Sequence, residues 1–273
     1  MLRKRERKGG TLMVSISAKK CIGCGLCVKD CFYQVLSIKD GKATVSGNCF
    51  QCGHCVAVCP AKAVSISDLP MEEVREYDES CKMDPENLLH FMQFRRSVRQ
   101  FKNEPIPQFL LETIIEAGRY TPTAGNRQDV SYIVVRDAME QIKPILWNTL
   151  KKMLESGKMG PYAPLLKVVC DRYDADPKDD RLFCNADTMM LVLTENPMNG
   201  GLAATSMELM AQSLGVGVLY SGFLQRTIMV SETVKKLLGI QENQHISAVM
   251  LMGLPDVKYQ RTAPRKPAKV AWK

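Results

Sequence analysis

Eight of the chain's 11 cysteines fall into two copies of one spacing. Cys21, Cys24, Cys27 and Cys31 form the first set, and Cys49, Cys52, Cys55 and Cys59 repeat it at a constant offset. Each set reads C-x2-C-x2-C-x3-C, an iron–sulfur ligand spacing. A cubane cluster needs four thiolates at the corners of a tetrahedron. One short loop supplies three of them through steps of three residues, and the fourth has to come from the other repeat. The spacing therefore predicts two crossed sets: Cys21, Cys24 and Cys27 with Cys59, and Cys49, Cys52 and Cys55 with Cys31. Gly23, Gly25 and Gly53 suit loops that wrap closely around a bound group. Pro60 follows the last cysteine as the signature expects, whereas Phe32 follows Cys31. The alternative metal is zinc, whose sites more often join a C-x2-4-C pair to a distant second pair. Disulfides fit less well, because the cysteine count is odd and no secretory apolar segment is visible. A reducing, cytoplasmic compartment is expected.

A chain of 273 residues is long enough for two domains with proper cores. Its 45% hydrophobic and 24% charged residues place it among globular rather than disordered chains. No apolar run approaches the ~20 residues needed to span a bilayer, so no membrane partner is expected. Part of the net charge of +8 sits in Arg3-Lys4-Arg5-Glu6-Arg7-Lys8, followed by Gly9-Gly10. Residues 1–13 read as a solvated basic tail, with Met13 a second candidate start. No aromatic platform accompanies the tail, so no nucleic-acid partner is expected. The remaining positive balance suits docking of an acidic electron carrier.

Residues 14–66 form the cysteine-repeat domain, with short strands expected over 14–17 and 63–66 and a hairpin turn at Asp40-Gly41. Residues 67–83 are charged, lack an apolar stripe and read as a linker, with 71–77 a candidate helix. A second domain is expected over 84–273. Helices are predicted over 88–94, capped by Asp84-Pro85, and over 107–120. Strands are predicted over 131–135, 189–193 and 247–252. Ala203, Met207, Met210 and Leu214 follow a helical face that Gly215 ends. Helices and long connections separate the strands, so the fold class is α+β.

Three stretches of the second domain carry chemistry. In Arg95-Arg96-Ser97-Val98-Arg99, arginine forks and a serine hydroxyl match phosphate oxygens. The motif alone leaves a solvated basic helix end equally open. In Pro122-Thr123-Ala124-Gly125-Asn126-Arg127-Gln128, the Asn and Gln amides suit the edge of a polar heterocycle, or make a plain helix-ending turn. Leu214-Gly215-Val216-Gly217 precedes Leu219-Tyr220-Ser221-Gly222-Phe223. It follows a helix rather than a strand, so it is not a dinucleotide fingerprint, and no Walker motif occurs.

The order of these stretches, followed by Gly253-Leu254-Pro255 and Pro264-Arg265-Lys266-Pro267, resembles the nitroreductase family of FMN-dependent flavoproteins over residues 88–272. The cysteine repeat resembles a bacterial two-cluster ferredoxin, and the whole chain looks like a ferredoxin–nitroreductase fusion. The resemblance implies a mixed sheet flanked by helices, an FMN site, two 4Fe-4S clusters and a homodimer with two FMN sites at its interface. It assigns the phosphate and pyrimidine end of FMN to Arg95, Arg96, Ser97 and Arg99, with Arg265 returning to the phosphate. It brings Asn126 and Gln128 to the flavin of the partner subunit and lays Leu219, Tyr220, Ser221 and Gly222 along the isoalloxazine. Asn148 aligns loosely with a further flavin contact. The helical face over 203–214 and the segment 270–273 are expected to meet the partner. Two positions depart from the family pattern. Asp129 stands where proline is frequent, which puts the local loop path in question, and Leu254 stands where an aromatic residue is common.

The expected function is an FMN-dependent oxidoreductase. Electrons from reduced ferredoxin pass through the clusters to FMN and on to a nitroaromatic, a quinone or a similar electron-poor small molecule. Two alternatives are an enzyme fed directly by NAD(P)H and a non-catalytic electron-transfer subunit of a larger complex. No side chain is expected to act as a nucleophile. His54, His90 and His245 show no evident partner, and Cys81, Cys170 and Cys184 fall outside the spacing. The charged stretch 171–181 reads as a loop, either bordering the pocket or lying on the surface.

Overall fold

The computed structural model describes residues 14–273, and the expected basic tail with Met13 lies outside the described residues. The chain divides into two compact units, Met1–Lys82 and Met83–Lys273.

The first unit is built on two antiparallel strand pairs. β1 (Val14–Ile16) pairs with the last strand of the unit, and β2 (Leu36–Lys39) forms a hairpin with β3 (Lys42–Val45). The last strand is β4 (Val64–Ile66). Asp40 and Gly41 both take positive φ (49° and 72°), as a two-residue hairpin turn requires for the strands to keep their twist. Two one-turn helices, α1 (Leu26–Asp30) and α2 (His54–Ala57), occupy equivalent places in the two cysteine repeats. Each starts after a left-handed glycine, Gly25 (φ 75°) and Gly53 (φ 79°). Each buries the third cysteine of its set, Cys27 or Cys55, among Val14, Leu36, Val64 and Ile66. So small an apolar cluster is marginal by itself, since domains of this size bury too little surface to fold on burial alone. Residues 71–77 are not an α-helix: a single 3-10 turn covers Met71–Glu73, and a second covers Glu79–Cys81.

The second unit opens with α3 (Pro85–Phe94), where Asp84 accepts the Asn87 N–H (2.8 Å) and Pro85 fills the first turn. Then come α4 (Gln108–Arg119), β5 (Ser131–Val135), α5 (Met139–Glu155), α6 (Ala163–Ala175), β6 (Thr188–Thr194), α7 (Pro197–Ser213) and β7 (Gly217–Tyr220). It closes with α8 (Gly222–Val230), α9 (Glu232–Leu237) and β8 (His245–Gly253). The sheet order is β5-β6-β8-β7, all antiparallel, and a parallel bridge from Ser97 to Val218 makes the outer edge mixed.

All seven residues of β6 are buried because both faces of the sheet are covered. The period of two sends Met189, Leu191 and Leu193 into one core with α5, α6, α8 and α9. Met190 and Val192 enter the other core, with α4 and α7. Ala203, Met207 and Ala211 of α7 are wholly buried in that second core. They pack within the chain rather than forming the partner-facing helix surface that the sequence suggested. Among the described residues, no helix is long and apolar enough to cross a membrane.

Candidate functional site

The first unit sorts its eight cysteines into two cavities. Cys21, Cys24, Cys27 and Cys59 line one, walled by Ile16, Ala43 and Val64. Cys31, Cys49, Cys52 and Cys55 line the other, walled by Val14, Leu36 and Ile66. None of the eight is in a disulfide. Backbone N–H groups already point at the sulfurs, from Ala43 to Cys21 (3.4 Å), Gln51 to Cys49 (3.2 Å) and Ala63 to Cys59 (3.3 Å).

The N–H of Ala43, then that of Gly23, holds the Cys21 thiol below its ordinary pKa. Burial pushes Cys55 up to about 11, and the neighbouring Cys49 and Cys52 add to the rise. Burial likewise raises Cys27, with Cys59 and Cys21 contributing. Thiolates crowded into an apolar wall repel one another, and a cationic iron core relieves that repulsion. The donor set and its surroundings therefore fit a thiolate-bound cluster. Among the described residues, no group of three or more His, Cys, Asp or Glu side chains is arranged to hold a metal ion. Gly23 has two reasons to be glycine, a φ of +70° and a Cβ position 2.2 Å from the Gly41 carbonyl oxygen. His54 does have a partner, since its Nδ1 lies 3.1 Å from Asp30 Oδ2 and ties α2 to α1.

In the second unit, the Arg95–Arg99 stretch runs along the sheet edge. The Val98 N–H donates to the Val218 carbonyl (3.0 Å), and Ser97 is bridged to Val218, placing the stretch beside Leu219, Tyr220, Ser221 and Gly222. Arg95 caps α3 and donates to Glu208 on α7 (2.8 Å), whose side chain is 8% exposed. Arg96 lies over the Tyr259 ring (5.9 Å), and the Tyr259 hydroxyl donates to the Ser97 carbonyl (3.4 Å). Arg99 is exposed and folds back to its own Ser97 carbonyl (3.4 Å). Leu254 takes part through its backbone, accepting the Lys102 N–H (2.8 Å), so its side-chain type is not what holds the chain there.

Tyr220 and Ser221 are anchored from behind. The Tyr220 hydroxyl donates to the Ala204 carbonyl (2.8 Å), and burial, then the charge of Glu208, raises its pKa. The Ser221 N–H donates to the Val249 carbonyl (2.8 Å), and its Oγ accepts the Leu224 N–H as the cap of α8 (3.3 Å). Gly222 and Phe223 open α8, where the helix offers their N–H groups no acceptor.

The Asn126–Gln128 loop is held elsewhere. It is tied to β6 and α7 through Asp129 and Asn199. Arg265 donates to the neighbouring Pro264 carbonyl (3.3 Å) in the exposed C-terminal run. Asn148 is exposed on α5.

The charged stretch 171–181 is not a single loop. Asp171–Ala175 completes α6, and the following turn is braced by Asp179, which accepts from Arg172 (2.6 Å) and Arg181 (2.5 Å). Asp180 is buried, so desolvation raises its pKa despite the Phe183 N–H and the Lys143 ammonium. Beyond this turn, Cys184 is close enough to feel the charges of Asp180 and Arg99, although burial is the larger cause of its raised pKa. Sequence reasoning missed Glu208, Asn199 and Tyr259. Each is a lone polar or aromatic residue whose partner lies far away in the chain.

These two constructions define a redox protein with a cysteine-rich module and a helix-flanked antiparallel domain. The nitroreductase family model matches residues 92–254, and a 4Fe-4S dicluster domain model matches residues 20–64. The chain belongs to the nitroreductase family. A relative from Archaeoglobus fulgidus, described as an NADH dehydrogenase/NAD(P)H nitroreductase, is 31% identical over 62% of this chain and 86% of its own. The NADPH-flavin oxidoreductase of Vibrio harveyi is 29% identical over 67% of this chain and 72% of its own. A Bacteroides fragilis nitroreductase solved with bound FMN shares the fold, with a TM-score of 0.54 and 20% identity over 67% of this chain and 98% of that one.

Proposed function

We propose that the chain is an FMN-dependent oxidoreductase that also carries two 4Fe-4S clusters. In this reading it takes electrons from a donor such as reduced ferredoxin and delivers them to a nitroaromatic, a quinone or a similar electron-poor small molecule. The observation that carries the reading is the crossed sorting of eight cysteines into two cavities in a chain that also holds a nitroreductase domain. Clusters exchange electrons singly, and a bound flavin supplies both one- and two-electron chemistry.

The chain's own residues fit the task of holding that flavin. Arg95 spends one of its five N–H donors on Glu208 and keeps others for a phosphate. Arg99 and Ser97 add a fork and a hydroxyl on the same edge. The exposed Gly222 N–H provides a backbone donor beside the stretch assigned to the isoalloxazine. Tyr220 stays protonated at neutral pH, with its hydroxyl committed to Ala204, so it acts as a wall rather than a proton donor. Trp272 is 94% exposed and Val270 60%, an apolar C-terminus that suits contact with a second copy of the chain.

A second reading has NAD(P)H as the direct donor, and the description of the Vibrio harveyi relative favours it. Anaerobic reduction separates the two. The proposal expects slow bleaching with NADPH alone and rapid bleaching with ferredoxin and its reductase. Rapid bleaching with NADPH alone overturns the ferredoxin assignment.

A further inference from the structure

The loop that carries Asn126 and Gln128 has an unfavourable backbone. Gly125 (φ 61°), Asn126 (φ 49°) and Gln128 (φ 49°) all take left-handed conformations. Asparagine tolerates that region, but glutamine has little reason to occupy it unless the surroundings impose it. Local bonds help: the Thr123 hydroxyl accepts the Gln128 N–H (2.9 Å), and the Asn126 N–H reaches the Thr123 carbonyl (2.9 Å).

The Asp129 carboxylate joins this loop to the rest of the fold, beside a looser pair between Arg127 and Glu195 (3.7 Å). Asp129 Oδ2 accepts from the Thr194 hydroxyl at the end of β6 (2.8 Å), and Oδ1 accepts from Asn199 Nδ2 in the first turn of α7 (2.8 Å). Asn199 is 2% exposed, and its own Oδ1 accepts the Ala124 N–H at the head of the loop (3.1 Å). The relay therefore clamps the loop at both ends, directly at Asp129 and through Asn199 at Ala124.

We propose that Asp129 is a positioning residue that sets the flavin affinity of the site by fixing the loop that presents Asn126 and Gln128. This rests on the reading of the second unit as an FMN site and on the assignment of Asn126 and Gln128 to the flavin of a partner subunit.

The test uses the full-length protein with its clusters in place, and FMN binding is read from quenching of flavin fluorescence. D129N keeps an acceptor toward Asn199 and offers a donor to Thr194, so it is expected to bind FMN within about threefold of the natural protein. D129A and N199A break the relay and are expected to weaken FMN binding about tenfold or more, with iron content unchanged. T194V removes the bond to Asp129 together with the acceptor for the Asn196 N–H (3.1 Å) at nearly constant shape, and is expected to weaken binding by a few fold, which decides the matter if the alanine variants do not fold. The proposal is overturned if the folded variants bind FMN as the natural protein does while only their melting temperature falls. Absence of FMN binding by the natural protein would instead overturn the function proposed above.

Discussion

Cys27 and Cys59 share one cavity although the whole second cysteine set up to Cys55 lies between them in sequence. Burial, followed by the charge of Cys59, raises the Cys27 pKa, so the two sulfurs are electrostatic neighbours. A ligand set drawn from a single repeat would not produce that arrangement.

The crossing has a consequence for single substitutions. C31S is expected to damage the site built by Cys49, Cys52 and Cys55, giving the same residual spectrum as C55S. C59S is expected to match C27S. Each variant should keep about four of about eight iron atoms. Iron analysis with low-temperature EPR checks this, and a C31S spectrum that matches C27S would contradict it.

Arg95 and Arg99 are expected to behave differently. Arg95 is paired with the largely buried Glu208, so R95A leaves a carboxylate without its partner and costs on the order of 2–4 kcal/mol in stability. Arg99 is exposed, and R99A is expected to change stability by no more than about 0.5 kcal/mol while weakening FMN binding. Denaturant melts alongside FMN titrations separate the two effects.

Gly217 lets the Arg95–Arg99 stretch lie against β7. A Cβ at Gly217 would sit 2.9 Å from Val98 Cβ, and valine's branched side chain has little freedom to give way. G217A is expected to destabilise by about 1–3 kcal/mol and to loosen the FMN phosphate end. V98A in the G217A background should recover part of the binding.

Acid should act on Asp129. Burial raises its pKa, but the hydrogen bonds from Thr194, Asn199 and the backbone N–H groups of Asp129 and Glu195 together outweigh burial and hold the carboxyl below its ordinary value. A lowered folded-state pKa contributes stability that is fully present above the unfolded value of about 3.9. That contribution is lost as the pH falls through the lower folded-state value. The stability difference between the natural protein and D129N should therefore shrink below about pH 4, as thermal melts at several pH values will show. A constant difference would mean that the charge on Asp129 does not matter.

Much of this was visible in the sequence where the cause is local. The Asp40-Gly41 turn, the Asp84 cap, the strand Ser131–Val135 and the crossed cysteine sets follow from short-range stereochemistry or ligand arithmetic. β7 was not anticipated, because four residues starting with Gly217 give too short a period. Its glycine reflects the approach of Val98 from a distant segment. α5 carries Pro144 inside it, which disguises a 17-residue helix. Glu208 and Asn199 lie on α7 among alanines and methionines. Their meaning comes from Arg95, 113 residues earlier, and Asp129, 70 residues earlier, which no local pattern records.

In the function proposed above, one chain couples two thiolate-bound clusters to one flavin. Anaerobic purification followed by iron, sulfide and flavin analysis with an absorbance spectrum is the decisive test. About eight iron, about eight sulfide and about one FMN per chain are expected, with cluster and flavin bands that both bleach on reduction. A colourless zinc protein, or one with iron near two per chain, would contradict it.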